Sequence, residues 1–320
     1  MNIGIVGATG MVGLKIKEIL EERKLPIDNL YLFASARSKG TVVTFNDKKL
    51  EVIELTPAVF QAYPMDVLFF AAGGYISETY IPLALKENIK VIDNSSYFRM
   101  DENVPLVVPE INGDLINAEV PLVANPNCST TQAVLPLKVI DDLFKIKRVV
   151  YTTFQAVSGA GLKGIEDLES GVVKQFRKNI SKNVIPEIDV FMPDGYTKEE
   201  HKMIEETKKI LNRDDLRISA TAVRVLVKNT HAISVNVECE RPINLELLKE
   251  KFKNAEGIHY VEAPDYPVAE EVSGLDDVFV GRLRLDLSVE HGLNFWCVAD
   301  NIRKGAATNT VQILELMMKA

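Results

Sequence analysis

"NIGIVGATGMVGLKIKEILEERK", residues 2–24, holds a strand pattern, a glycine turn and a helix pattern in direct succession. The apolar run 2–6 reads as a buried strand. From Met11 onward, Val12, Ile16, Ile19 and Leu20 recur at helical spacing and mark one apolar face. Between the two stand Gly7, Gly10 and Gly13 in a G-x-x-G-x-x-G arrangement. Glycines let the backbone turn tightly and approach a pyrophosphate, while the helix N-terminus offers N–H groups and a positive dipole end. Any tight strand–helix turn can use such glycines. The strand before them and the helix after them supply the context that dinucleotide binding requires.

The pattern continues outward. "LYLFA" (30–34), "DVLFFAA" (66–72) and "KVIDNS" (90–95) read as further buried strands, and "ISETYIPLALKEN" (76–88) as a helix between the last two. Buried strands alternating with helices predict a doubly wound, Rossmann-type parallel sheet. The second strand runs into "SARSKG" (35–40), where an NAD site commonly places an acid for the ribose 2′-OH. Here Ser35, Arg37, Ser38 and Lys39 stand instead, hydroxyls and cations that suit a 2′-phosphate. NADP is the cofactor this favours; a solvated polar loop is the other reading.

After residue 128 the pattern changes. "STTQAVLPLKVIDDLF" (129–144) reads as a helix with Pro136 as a possible kink. Longer strands follow at 147–157, 217–227 and 230–239, the last two as a hairpin turning near Lys228-Asn229. Helices are expected over 164–177, 198–211 and 244–253, and "GAATNTVQILELMMK" (305–319) as a helix returning to the first domain. The domains predicted are 1–127 with 302–320, and 128–301 as a second α+β domain with a mixed or antiparallel sheet.

At 47% hydrophobic and 26% charged residues the chain is an ordinary globular one. No apolar run approaches the roughly 18 residues of a membrane span. The start shows no basic region and no cleavage site, so no secretory signal is expected. Three cysteines at zinc-unlike spacing predict neither a disulfide framework nor a metal site, and a reducing, cytoplasmic setting follows. A net charge of -8 argues against nucleic acid or anionic membranes as partners.

"NPNCSTTQ" (125–132) sets Cys128 at the start of a helix, where a thiol pKa falls. Ser129, Thr130 and Thr131 are expected to cap that helix and leave N–H groups facing the sulfur and a developing oxyanion. A packed, inert thiol is the ordinary alternative. Cys239 and Cys297, in apolar strand patterns, fit that alternative; Cys128, among turn-forming polar residues, does not. Of the four histidines, His231 opens a strand. In the expected hairpin it lies diagonally from Arg224, about 7 Å away at the backbone, joining an acid–base group to a carboxylate-binding cation.

These residues together resemble aspartate-β-semialdehyde dehydrogenases of the bacterial short-chain branch. The likeness runs nearly end to end through "GATGMVG", "SARSKG", "FFAAGG", "DNSSYFR", "VPEIN", "NPNCSTTQ", "QAVSGAG", "EEHKM", "VRVLVKNTHA" and "DNIRKGAA". The resemblance implies Cys128 as acyl-forming nucleophile, His231 as acid–base residue and Gln155 as the group orienting substrate. It implies Arg224 on the substrate α-carboxylate and Arg99 and Lys202 on phosphate, with Glu199, Asn94 and Asn127 in support. Thr9, Gly10, Met11, Val12, Arg37, Ser38, Ser158, Gly159 and Asn301 would contact NADP. Leu226 stands where the family commonly has proline. In "EEHKM", Glu199 rather than Glu200 shares a helix face with Lys202.

The activity implied is the metal-independent reduction of L-aspartyl-4-phosphate to L-aspartate 4-semialdehyde, by a homodimer. N-acetyl-γ-glutamyl-phosphate reductase is the nearest alternative, although its motif typically carries glycine before the cysteine and an aromatic after it. A dinucleotide-sensing binding protein is the alternative from outside enzymes.

Overall fold

Eight strands occupy the N-terminal part of the chain: β1 (Asn2–Val6), β2 (Asn29–Ala34), β3 (Val42–Phe45), β4 (Lys48–Glu51), β5 (Ile53–Glu54), β6 (Val67–Phe70), β7 (Lys90–Asp93) and β8 (Leu122–Ala124). Six form a sheet in the order β5-β2-β1-β6-β7-β8, and β3 with β4 makes a separate hairpin. Every pairing in the six-stranded sheet is parallel. This computed structural model describes all 320 residues, and they divide into two units, 1–126 with 306–320, and 127–305.

β1 lies between β2 and β6, so the strand order reverses there, the switch point at which doubly wound sheets bind ligands. Ile3 and Ile5 of β1, Ile16, Ile19 and Leu20 of the helix Met11–Glu22, and Val311 and Leu314 of the helix Thr308–Met317 share one apolar core. The C-terminal helix therefore belongs to the first unit. Gly7 holds φ +82, and a Cβ there would lie 2.4 Å from the Ala71 carbonyl oxygen. Only glycine combines that backbone angle with that approach. No helix is long and apolar enough to cross a membrane.

The second unit carries β9 (Ile146–Gln155), β10 (Arg217–Arg224), β11 (His231–Cys239), β12 (Ile258–Tyr260), β13 (Val278–Leu285) and β14 (Gly292–Ala299) in the order β10-β9-β11-β14-β13-β12. The sheet is mixed, with β9–β10 and β12–β13 parallel and the other pairings antiparallel.

The hairpin expected from 217–227 and 230–239 does not form. β9 lies between the two strands, parallel to β10 and antiparallel to β11. Residues 225–230 cross the end of β9 instead of folding back. The Val225 N–H donates to the Gln155 carbonyl, and the Val227 and Lys228 carbonyls accept from Val157 and Ser158. Lys228-Asn229 is no two-residue turn, because the strands flanking it do not pair, and the Asn229 side-chain amide donates to Ser273 and Asp300 instead.

The helix predicted over 164–177 runs instead over Gly161–Ser170. Gly171 ends it in the left-handed region at φ +69, and the buried Asp167 carboxylate accepts the N–H groups of Lys174, Gln175 and Phe176. Those bonds hold the following segment as a loop. The helix Lys198–Leu211 matches its predicted span.

Candidate active site

The helix Cys128–Phe144 opens on the cysteine, and Asn127 is its N-cap. The Asn127 Oδ1 accepts from the Ser129 and Thr130 N–H groups at 2.9 and 3.2 Å. Its Nδ2 donates to Glu199 Oε1 at 2.9 Å, and its backbone N–H donates to Glu206 Oε2 at 2.6 Å. The Ser129 and Thr130 amides are thus not left facing the sulfur, contrary to the sequence reading. Asn127 holds the N-cap position, with Ser129 and Thr130 already inside the helix, and its side chain takes both donors. Behind the thiol, a Cβ on Gly305 would lie 2.7 Å from Cys128 Cβ, so glycine leaves room for the cysteine.

The helix Lys198–Leu211 supplies the carboxylates. Thr197 and Glu200 form a reciprocal capping box at its start, and Glu200 Oε1 also accepts from the Ala222 N–H. Glu200 therefore serves the backbone. Glu199 faces Asn127 and also accepts from Gln155 Nε2 at 3.2 Å and pairs with Lys202 at 3.1 Å. Burial pushes the Glu199 carboxyl up, but the Lys202 charge and the Asn127, Lys202 and Gln155 hydrogen bonds outweigh it and hold it below its ordinary value. Burial likewise works against the Lys202 ammonium, and Glu199 and Asp189 together raise its pKa.

The strand ends bring in the remaining groups. Arg224 pairs with Gln155 across β10 and β9, and the β9–β11 register carried one residue beyond Ala232–Phe154 sets His231 on the other side of Gln155. Arg224 and His231 are neighbours after all, through β9 and not through a hairpin. Arg224 Nη1 donates to the Ala156 carbonyl at 2.6 Å, and the Ala156 N–H donates to His231 Nδ1 at 3.0 Å. Gly159 closes the group: a Cβ there would come within 2.8 Å of Arg224 Nη1 and 3.4 Å of His231 Nε2. Burial, then the Arg224 charge, hold the His231 pKa well below its ordinary value.

Thr230, just before His231, is β-branched and buried yet sits at φ +79. Such strain costs about 1–3 kcal/mol and collects at functional sites. Asn301 sustains it, its Oδ1 accepting the Thr230 N–H at 2.8 Å while its Nδ2 donates to Ser158 Oγ at 3.0 Å.

The other two cysteines are fully buried. Burial pushes the Cys239 thiol up to about 12, and the Cys297 thiol also upward.

In the first unit, Gly10 caps the helix Met11–Glu22 without a side-chain bond, and no acid stands in its first turn, where Met11 and Val12 lie. Thr9 Oγ1 donates to Ser38 Oγ at 3.3 Å, and Ser35 and Arg37 are exposed beside them. Open helix N–H groups, hydroxyls and a guanidinium without a carboxylate fit the phosphates of a dinucleotide. Arg99 is buried and donates to the Asn94 carbonyl at 2.8 Å and the Asn125 carbonyl at 2.9 Å.

Comparison with known proteins agrees in both units. Residues 2–119 match the NAD binding domain of semialdehyde dehydrogenases, and residues 137–304 match their dimerisation domain. An aspartate-semialdehyde dehydrogenase of Aquifex aeolicus is 47% identical over 99% of this chain and 98% of its own. The chain belongs to the aspartate-semialdehyde dehydrogenase family. Aspartate-semialdehyde dehydrogenase 2 of Vibrio cholerae is 43% identical, again over 99% of this chain and 98% of its own. A crystal structure of aspartate semialdehyde dehydrogenase II from Vibrio cholerae, complexed with ASA, superposes with a TM-score of 0.95 at 42% identity, covering 99% of this chain and 98% of that one.

Within this member of the family, three groups at the site escape sequence reasoning. Glu206 lies seven residues after Glu199, on the same helix face, and that spacing was a usable signal. The Ala156 peptide and the strained Thr230 carry none, since backbone groups and φ angles leave no trace in residue type.

Proposed function

We propose that the chain is an NADP-dependent, phosphorylating aldehyde dehydrogenase that reduces L-aspartyl-4-phosphate to L-aspartate 4-semialdehyde in the biosynthesis of lysine, diaminopimelate, threonine, methionine and isoleucine. The carrying observation is that Gln155, Glu199, Lys202, Arg224 and His231 are linked within one unit by hydrogen bonds, an ion pair and strand pairing, and that Cys128 follows Asn127, whose side chain donates to Glu199. Cys128 attacks the acyl carbon and phosphate leaves, forming a thioester. Arg224 binds the α-carboxylate as a guanidinium fork, Gln155 orients the substrate, and Lys202 meets phosphate, as does Arg99. Asn94, Asn127 and Glu199 hold these groups in place. Bound NADPH supplies the hydride that takes the thioester to the aldehyde level, and His231 serves the reacting oxygen. Gly7, Thr9, Gly10, Met11, Val12, Ser35, Arg37, Ser38, Ser158, Gly159 and Asn301 are the proposed cofactor contacts.

A homodimer is part of the proposal. The match to a dimerisation domain supports it, as does the sheet face on which Phe154, Ala232, Tyr266, Pro267, Trp296 and Val298 line an apolar pocket.

The test is an assay with semialdehyde and phosphate, run with NADP and with NAD. Phosphate-dependent reduction of NADP, faster than of NAD, is the expected result. Reduction that ignores phosphate would overturn the assignment. Gly159→Ala is expected to raise KM for the semialdehyde on the order of tenfold or more, because the new methyl displaces Arg224 Nη1. An unchanged KM would remove Arg224 from the carboxylate site.

A further inference from the structure

Two buried donors converge where the mechanism ordinarily seeks a base. The backbone N–H of Ala156 points at His231 Nδ1, 3.0 Å away. A peptide N–H is a donor and nothing else, so Nδ1 must present its lone pair. A neutral imidazole has one N–H, which then lies on Nε2. An imidazolium would set a second N–H against that of Ala156.

The carbonyl of the same residue, in the next peptide group, fixes the neighbour, since it accepts from Arg224 Nη1 at 2.6 Å. His231 Nε2 is buried without a protein partner, and Nε2 and Arg224 Nη1 both border the space beside Gly159. The nearby carboxylate does not serve the ring, because Glu199 is bonded to Asn127, Gln155 and Lys202. Burial and the fixed Arg224 charge, which keep the ring neutral, agree with this hydrogen bonding.

We infer that His231 enters the reaction as a neutral imidazole with its proton on Nε2, donating a hydrogen bond to the substrate's reacting oxygen and not accepting the Cys128 proton. Ala156 is the positioning residue that sets this tautomer. The inference rests on the reaction proposed above, and that reaction balances without a proton acceptor at His231. The Cys128 proton leaves to solvent before attack. The thiolate then adds to the acyl carbon, and the C–O bond to phosphate breaks with its electron pair on phosphate. The hydride that a bound nicotinamide would supply is a two-electron reduction of the thioester carbon, and it would leave negative charge on oxygen. The C–S bond breaks, the carbonyl forms, and the pair returns to Cys128 as thiolate. Oxygen needs a donor at both stages, as oxyanion sites supply.

The tautomer is read by long-range 1H–15N correlation of the full chain labelled with 15N-histidine near neutral pH. His201→Gln, His259→Gln and His291→Gln assign the spectrum by elimination, without touching the site. The expected His231 pattern is one pyridine-like nitrogen, far downfield and coupled to Hε1 alone, with a pyrrole-like nitrogen coupled to both ring hydrogens. Two pyrrole-like nitrogens, or a pyridine-like nitrogen coupled to both hydrogens, would overturn the inference. The phosphate-dependent assay on the same sample separates the failures. An active sample with an imidazolium sinks the tautomer alone, and an inactive sample with the expected tautomer sinks the reaction and the role built on it.

Discussion

Cys128→Ala is expected to abolish turnover, by at least about 10⁴-fold in kcat, while NADP still binds. A methyl cannot form the thioester, and removing the nucleophilic serine of a protease that works through an acyl-enzyme costs about 10⁶-fold. Binding should survive because the proposed dinucleotide loop, Gly7 to Gly13, belongs to the other structural unit. Thiol labelling gives a second readout. Cys128 is partly exposed, whereas Cys239 and Cys297 are buried, and burial drives both of their pKa values upward. A native sample should take up one equivalent of iodoacetamide and lose activity in step, and the variant should take up none. Measurable steady-state turnover in Cys128→Ala, or alkylation that leaves activity intact, would remove Cys128 as the nucleophile.

Much of the fold lies in short-range pattern. The run from Asn2 to Lys24 determines its own strand, turn and helix, because its apolar periods and glycine spacing are local. The parallel sheet follows from repetition of that unit. The same reasoning fails at 217–239. Two strands separated by a short polar stretch look like a hairpin, but the partner that separates them, β9, lies more than sixty residues upstream of β10. No local pattern reports such an insertion. The proximity of Arg224 and His231 holds although the connection expected for it does not, since both flank Gln155.

Glu199 was separable from Glu200 by helix spacing alone, and the capping box explains what Glu200 does instead. The donors at the start of the Cys128 helix escape the sequence reading because Ser129 and Thr130 look like caps themselves. Asn127, one residue earlier, reaches both amides first.

That arrangement makes Asn127→Ala the second large effect. The variant keeps the backbone bond to Glu206 but loses both bonds at Oδ1 and the Nδ2 bond to Glu199. Losing an N-cap costs about 1 kcal/mol, and removing a donor from a buried carboxylate about 1.5–3 kcal/mol. The expected destabilisation is about 3 kcal/mol, measured by urea unfolding. Activity should fall on the order of 10²-fold, because Glu199 loses a partner that holds it against Gln155 and Lys202. Asn127→Ser separates the two causes. Serine restores an N-cap oxygen but cannot reach Glu199 with a second donor, so about 1 kcal/mol of stability should return while kcat/KM stays low. Full kinetic recovery in the serine variant would show that Asn127 acts only as a helix cap and that its bond to Glu199 is idle in the reaction.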